Sequence, residues 1–432
     1  MDKQKANGLE IAAWVGWDWA DKQHEVAIQQ EGSAKVERQT IAQQPERLRE
    51  WVEGMRARFG GAKIAIAIEQ ARGPVIYALM SYDFIVLYPI NPKSLARFRE
   101  ALRPSRAKDD PVDAELLLEL ITKHRDRFRP WMPDDQRVRE MRTLVEYRRT
   151  TVNEQGRYAK RLKSVLKSYF PQALEFAGDL TEEIAWDFLT HWPTLEAVQE
   201  AGQAAIREFY LNHRCRRKTI DERVNQISEA TPLTSDTAVV AASVMLVQIT
   251  INQLRCFAEA IEKFEKRICE LYADYPDRDL FDSFPGAGPV LAPRLAVAWG
   301  LERSRYQSAD EVLRFSGVAP VTEASGKSKW VHRSYARPKF LHQTFVEYAK
   351  QSVVQSTWAK AYYADRKRLN HSRNDILRSL AFKWIRIMYR CWRDRVPYDE
   401  SSYLTSLQRR GSYLAQLASE VRLTEVCTES AD

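Results

Sequence analysis

The sequence predicts an α/β amino-terminal region followed by an all-α remainder: a mixed sheet flanked by helices, a coiled-coil-like helical middle, and a mostly helical carboxy-terminal part. Three observations predict it. Residues 10–130 alternate short β-rich apolar runs with amphipathic stretches. From about 134 to 275 glycine nearly vanishes and apolar residues recur three and four apart. Past 278 a glycine-punctuated turn feeds an Ala-rich helix and a basic, loop-rich stretch.

Taken in order, "IAAWVGWDWA" (11–20) is a first strand that carries an acid, Asp18, at its far end. "KQHEVAIQQEG" and "AKVERQTIAQ" alternate around a glycine, as a hairpin and third strand do. "QPERLREWVEGMRARFGG" has helical spacing and stops at Gly60-Gly61. "AKIAIAIEQ" is almost wholly apolar, the pattern of a strand buried on both faces, and Glu69 ends it. A helix follows Gly73-Pro74, "DFIVLYPINP" is another strand, and helices start at Pro92 and Asp110. Three strands able to pair antiparallel, then helix–strand–helix–strand, make a mixed sheet covered by helices. The long segments at 134–170 and 248–275 are candidates for association between chains. The domain boundaries expected are 1–130, 131–277 and 278–400, with a polar tail at 401–432 that is peripheral or frayed.

Composition narrows the function. The 66 Lys and Arg exceed the 58 acids, leaving +8, which suits a polyanionic partner. Five scattered cysteines without a CxxC pair fit neither a disulfide framework nor a cysteine zinc site. The seven histidines lack ligand spacing. The polar start "MDKQKANGLE" and the lack of a run of about 18 apolar residues predict a soluble chain in a reducing compartment, with no signal peptide and no membrane partner.

Four acids carry the chemistry. Asp18 and Glu69 end strands, and in "KDDPVDAELL" Pro111 suits the first helical position, making Asp110 the N-cap with Asp113 one turn on. Each has a plain structural use, since acids complement the start of a helix and commonly end strands at turns. Together they would repel one another unless a cation neutralised them. Oxygen-only ligands select Mg²⁺ or Mn²⁺, and two such ions can activate a nucleophile and stabilise a leaving oxygen.

The ordered set of motifs resembles the IS110 (IS110/IS1111) family of transposases. "GWDWAD", "AIAIEQARG" and "YPINPKSLARFREALRPSRAKDDPVDAELL" carry the resemblance in the first part; "FPGAGPVLAPRLAVAWG", "LRFSGVAPVTEASGK" and "RNDILRSLAFKWIRIMYRCW" carry it in the last. The resemblance covers about two-thirds of the chain; the middle matches in helical character alone. It implies a RuvC-like RNase H fold over 1–130 whose D-E-D-D set falls on Asp18, Glu69, Asp110 and Asp113. Two positions depart from the family. Asp109 replaces a common Thr, which makes Asp109 against Asp110 a register question that the spacing to Asp113 and Ala114 settles for Asp110. Glu69-Gln70-Ala71-Arg72-Gly73 replaces a frequent Glu-x-Thr-Gly.

The resemblance also implies a carboxy-terminal transposase domain over 278–400 with a nucleophilic serine. In "APVTEASGKSKW" that serine is Ser325, although Ser316 and Ser328 are nearby hydroxyls and a Ser-Gly pair in a basic loop is an ordinary turn. A hydroxyl needs activation by a base or metal, and the implied reaction joins DNA to Ser325 through a 5′-phosphoserine. The implied partners are donor and target DNA, a structured bridge RNA encoded by the element, and further copies of the chain as a dimer or tetramer. The implied location is the bacterial cytoplasm, nucleoid-associated when bound to DNA. Basic residues suited to phosphate contacts are Lys108, Arg157, Lys160, Arg161, Lys163 and Lys167, with Lys327, Lys329 and Arg333 around the serine; "HRCRRK" and "YYADRKRLNHSRND" are further basic clusters. The competing enzyme is a metal-dependent Holliday-junction resolvase or nuclease that uses water and leaves Ser325 structural. The non-enzyme competitor is a nucleic-acid-binding protein with a degenerate acidic set.

Overall fold

The computed structural model describes residues 10–69, 73–102, 110–128, 130–131, 135–326, 328–333 and 337–420. The chain divides into two compact units, Met1–Pro133 and Asp134–Asp432.

The first unit is built on a five-stranded sheet: β1 (Ala13–Asp18), β2 (Gln23–Gln30), β3 (Val36–Ala42), β4 (Ile64–Ile68) and β5 (Ile85–Pro89), in the order β3-β2-β1-β4-β5. β1, β2 and β3 pair antiparallel, while β1, β4 and β5 pair parallel. β4, "IAIAI", is buried along its whole length, as its unbroken apolar run requires. Side chains alternate between two helix-covered faces. Val15, Trp17, Ile64, Ile66 and Ile68 share a core with Leu48, Val52 and Met55 of α1 (Pro45–Arg58) and with Val75, Ile76 and Leu79 of α2 (Pro74–Leu79). On the other face Trp14, Ala65 and Ala67 meet Leu95 of α3 (Pro92–Leu102) and Ala114, Leu117, Leu118 and Ile121 of α4 (Asp110–His124).

Gly16 lies on that second face, and only glycine fits there: a Cβ would overlap the Ala114 carbonyl oxygen and stand 2.5 Å from the Leu118 nitrogen. The missing side chain lets the first turns of α4 lie directly on β1.

The second unit is organised by two long antiparallel helices, α5 (Gln136–Tyr169) and α11 (Thr237–Ala273). Arg148 pairs with Glu265, and Arg267 with Glu140 at 2.8 Å. Five shorter helices separate them in the chain: α6 (Ala173–Phe176), α7 (Glu183–His191), α8 (Leu195–Glu200), α9 (Gly202–Asn212) and α10 (Arg217–Glu229). These pack on Leu162 and Leu166 of α5 and Val247, Ile251 and Leu254 of α11 as one core.

The opposite ends of the same two helices enter a second core. Val138, Met141 and Val145 with Ile268 and Tyr272 meet α12 (Arg278–Asp282), α13 (Gly288–Trp299), α14 (Ala309–Phe315), α15 (Lys339–Gln355), α16 (Thr357–Arg368), α17 (Arg373–Asp394) and α18 (Glu400–Arg409). Trp299, Trp358, Trp384 and Trp392 are fully buried at its centre.

Three details differ from the sequence reading. The stretch after Phe315, expected as loop, contains a two-stranded ribbon, β6 (Pro320–Ser325) and β7 (Ser328–Arg333). It is exposed on both faces, so no alternation of apolar and polar residues announces it. The tail beyond 400 is not merely peripheral, because Leu404, Leu414 and Ala418 are buried in the core. Finally, α11 is long and apolar enough to pass as a membrane span by length and composition. Its Val247, Ile251 and Leu254 instead form a core face, with Met245 and Ile249 exposed on the other side.

Candidate active site

Asp18 is the last residue of β1, and Glu69 follows the last residue of β4. The parallel register pairs Trp17 with Ile68, so the two acids leave the sheet side by side at the carboxyl ends of neighbouring strands. Asp18 shares a face with Trp14 and Gly16, and Glu69 with Ala65 and Ala67, by the two-residue period of a strand. That is the face α4 covers. The acids therefore stand on the side where the first turn of α4 arrives, carrying Asp113 immediately before Ala114.

Burial makes the charges expensive. Asp18 is 8% exposed and Asp113 only 1%. Across the hairpin Asp18 faces Glu25, an arrangement of like charges that costs stability. Glu25 turns its carboxylate to the Thr40 hydroxyl, which donates to it at 3.0 Å. A cleft of about 310 Å³ opens here, lined by Asp18, Ala20, Asp21, Lys22, Gln23 and Glu25.

Asp113 has a partner that no local signal in the sequence announces. Arg99, on α3, donates through Nε to Oδ1 at 2.7 Å and through a terminal nitrogen to Oδ2 at 2.5 Å. A bidentate guanidinium is the strongest neutraliser of a buried carboxylate that a protein offers. Among the described residues no three His, Cys, Asp or Glu side chains are already gathered around a point where an ion would sit. Asp113 is turned to Arg99, and the Asp110 side chain lies outside the described residues, though its backbone starts α4. By donor chemistry carboxylates suit a hard cation, and Asp18 and Glu69 leave the sheet at one edge of one face.

The turn after Asp18 is fixed by His24, a residue the sequence reading passed over. Fully buried, His24 accepts at Nδ1 from the Ala20 amide, 3.2 Å away, and its Nε2 meets the Gln43 side-chain oxygen. Desolvation holds its pKa below the ordinary histidine value, against the opposing pull of Gln43. The neutral ring ties strand end, turn and the start of α1 together.

In the second unit, Ser325 closes β6 at the tip of the exposed ribbon. Gly326 follows with φ 56°, the left-handed conformation a tight hairpin turn demands. Ser325 pairs in register with Ser328. Ser316 drops out as a nucleophile, because it is fully buried and donates to the Leu313 carbonyl at 3.3 Å. Ser328 shares the ribbon face with Ser325 and is not separated from it by exposure.

His332 and Glu323 form a 2.8 Å pair on the same ribbon. The Glu323 hydrogen bond, with help from the Arg333 carbonyl, raises the His332 pKa above its ordinary value. Arg333 pairs with Asp375 at 3.1 Å, and Lys329 is exposed. On α5, Arg157, Lys160, Arg161, Lys163 and Lys167 are all exposed, while Leu162, Leu166 and Tyr169 between them are buried. Arg161 lies over the Tyr158 ring. Lys108 and Lys327 lie outside the described residues.

Comparison with known proteins gives the family. Residues 15–171 match the profile of the IS110 DEDD transposases, described as "Transposase", and residues 278–364 match that described as "Transposase IS116/IS110/IS902 family". Together the two matches span more than half of the chain. A protein of Streptomyces coelicolor named "Mini-circle putative transposase for IS117" is 26% identical over 400 residues, covering 90% of this chain and 96% of that one. "Putative transposase y4uE" of Sinorhizobium fredii is 31% identical over 207 residues, 47% of this chain and 57% of that one. The "Insertion element IS116 uncharacterized 44.8 kDa protein" of Streptomyces clavuligerus is 24% identical over 88% of this chain and 95% of that one. With the strand-end acids in the first matched segment and Ser325 in the second, the chain belongs to the IS110 family of transposases.

Proposed function

We propose that this transposase excises and inserts its own element by cleaving and rejoining DNA strands through a serine–phosphate ester at Ser325. The observation that carries the reading is the placing of Asp18 and Glu69 side by side on the sheet face covered by the first turn of α4. The RuvC-like description of the first unit is part of the proposal; antiparallel β3-β2-β1 continued by parallel β4 and β5 supports it.

Asp18, Glu69, Asp110 and Asp113 would hold Mg²⁺ or Mn²⁺, which when bound supplies Lewis-acid polarisation of the scissile phosphate. The Ser325 oxygen attacks phosphorus, the bond to the 3′ oxygen breaks, and that oxygen leaves as a 3′-hydroxyl. The seryl ester keeps the bond count unchanged. A 3′-hydroxyl from another strand then reverses the step without ATP. Ser325 suits this role by exposure, since a strand must reach its hydroxyl at the ribbon tip. Recognition of donor and target is assigned to an element-encoded bridge RNA by base pairing, with the protein gripping backbones through Arg157, Lys160, Arg161, Lys163, Lys167, Lys329 and Arg333. Lys108 and Lys327 are added from the sequence alone. The reaction takes place in the bacterial cytoplasm, on nucleoid DNA, with an oligomer bringing two strands together.

The test is a denaturant-resistant adduct. Purified protein, Mg²⁺, RNA from the element's flank and labelled donor DNA are incubated and resolved under denaturing conditions. The expected result is a protein–DNA band that disappears in Ser325→Ala and persists in Ser328→Ala. Nicked DNA without an adduct, insensitive to Ser325→Ala, would instead make the chain a hydrolytic nuclease with a structural serine.

A further inference from the structure

The register of the ribbon places Ser325 opposite Ser328, Glu323 opposite Trp330 and Val321 opposite His332. Directly opposed residues of an antiparallel pair share a face. One side of the ribbon therefore carries the proposed nucleophile, a tryptophan and a histidine in a row.

Trp330 stands apart from the other tryptophans. Of the twelve in the chain it alone is exposed, with 62% of its surface in contact with solvent. It belongs to none of the hydrophobic cores. One side of its indole is backed by His332, with ring centroids 4.6 Å apart and planes inclined by 32°. His332 is itself braced by Glu323 at 2.8 Å. Aromatic rings propped from behind in this way offer their remaining face as a rigid platform.

The ribbon as a whole is basic: Lys329 is exposed on its opposite face, Arg333 on that face pairs with Asp375, and on the platform's own face the acid Glu323 is engaged by His332. A polyanion with flat, stackable groups matches both properties, and every nucleobase has a π-face. Two-stranded ribbons are also narrow enough to enter a DNA groove.

We propose that Trp330 stacks on a nucleobase of the DNA strand being cleaved, holding that strand beside Ser325, with His332 and Glu323 fixing the indole. This rests on Ser325 as nucleophile only for naming the strand. Trp330 is a positioning residue: it orders the nucleotide next to the reacting phosphate and takes no part in bond making.

The experiment uses the full chain with Mg²⁺, the element's flanking RNA and junction duplexes in which 2-aminopurine replaces each base flanking the cleaved bond in turn. Stacking on an indole quenches 2-aminopurine. The wild type and Ser325→Ala are expected to quench at one position. Trp330→Ala is expected to lose that quench and bind the duplex about tenfold more weakly. Trp330→Phe should recover most of both. Trp330 touches no core, so melting temperatures should not move, and a Trp330→Phe protein that behaves as wild type guards against a folding artefact.

Unchanged quench and affinity in Trp330→Ala would overturn the proposal. So would a loss confined to binding of the RNA alone, which would place the ribbon on RNA. Adduct formation is read on the same samples. If Ser325→Ala removes the adduct while Trp330→Ala changes nothing, the stacking proposal fails and the recombinase reading stands. If Ser325→Ala cleaves normally while Trp330→Ala loses its quench, the nucleophile is wrong and the stacking platform remains.

Discussion

Asp113 shows at the scale of one residue why the acidic set was half legible. Its type and its place one turn into a helix after Pro111 were readable from the chain. Its bidentate partner, Arg99, was not, because the contact joins two helices and leaves no local spacing to find. The pair makes a prediction. With 1% exposure, Asp113 is shut off from water, so Arg99→Gln leaves a buried carboxyl group without its cationic partner. Breaking such a pair from one side costs about 3–5 kcal/mol, far more than the pair's net worth. Thermal denaturation of Arg99→Gln should show that loss, and Asp113→Asn in the same background should return part of it. If the carboxylate set takes Mg²⁺, millimolar Mg²⁺ should raise the melting temperature of Arg99→Gln more than that of the wild type. A variant as stable as the wild type, with or without Mg²⁺, would mean that Arg99 does not neutralise Asp113.

Secondary elements were most legible where a face is buried. β1, β2 and β4 announce themselves because each buries at least one face, while β3, mostly exposed with Ile41 its one buried residue, is read from its alternation after the hairpin glycine. The β6–β7 ribbon buries neither face, and sequence reading left Ser325 in a loop. The sheet also hides one requirement behind an ordinary letter, since Gly16 could be any turn residue until α4 is seen lying against it.

The β1–β2 turn, pinned by His24, carries a prediction at this scale. Burial lowers the folded-state pKa of His24 below the unfolded value of 6.5. Below that value the unfolded chain takes up a proton that the folded chain refuses, so folding loses stability as pH falls and keeps it at higher pH. Melting curves at about pH 7.5 and pH 5.5 should therefore separate more for the wild type than for His24→Gln, which retains hydrogen-bonding groups but cannot titrate. Equal separations would show that His24 does not bind its proton more weakly when folded.

For the whole molecule, the boundary expected at 277 falls just past the end of α11, inside the second compact unit, Asp134–Asp432. Helical periodicity tells that a face is buried but not against what. The ends of α5 and α11 serve different cores, so Asp134–Asp432 is one compact unit in which two helices run from the core beside the ribbon to the core of α6–α10. The same two helices satisfy their seam within one chain, and association between chains, if it uses them, must use their outer faces.

One of those outer faces is basic. Arg157, Lys160, Arg161, Lys163 and Lys167 lie exposed along α5, close to the head formed by α6–α10 and well along the helix from Val138, Met141 and Val145. A solvated helix face of this kind contributes little to folding, so its removal should leave stability nearly unchanged. If it grips phosphates, each contact releases about 0.9 counterions per phosphate on duplex DNA. Replacing Lys160, Lys163 and Lys167 together by Gln should then flatten the plot of log affinity against log salt by up to about 2.7, equally for related and unrelated sequences. Loss of affinity without a change of slope would point to a disturbed fold, and an unchanged slope with unchanged affinity would return the face to a purely solvating role. The net charge of +8 decides nothing between these outcomes, because it fixes how much cation the chain carries and not where nucleic acid meets it. The slope measures the second quantity directly, which makes it the way to tell a binding face from a soluble one.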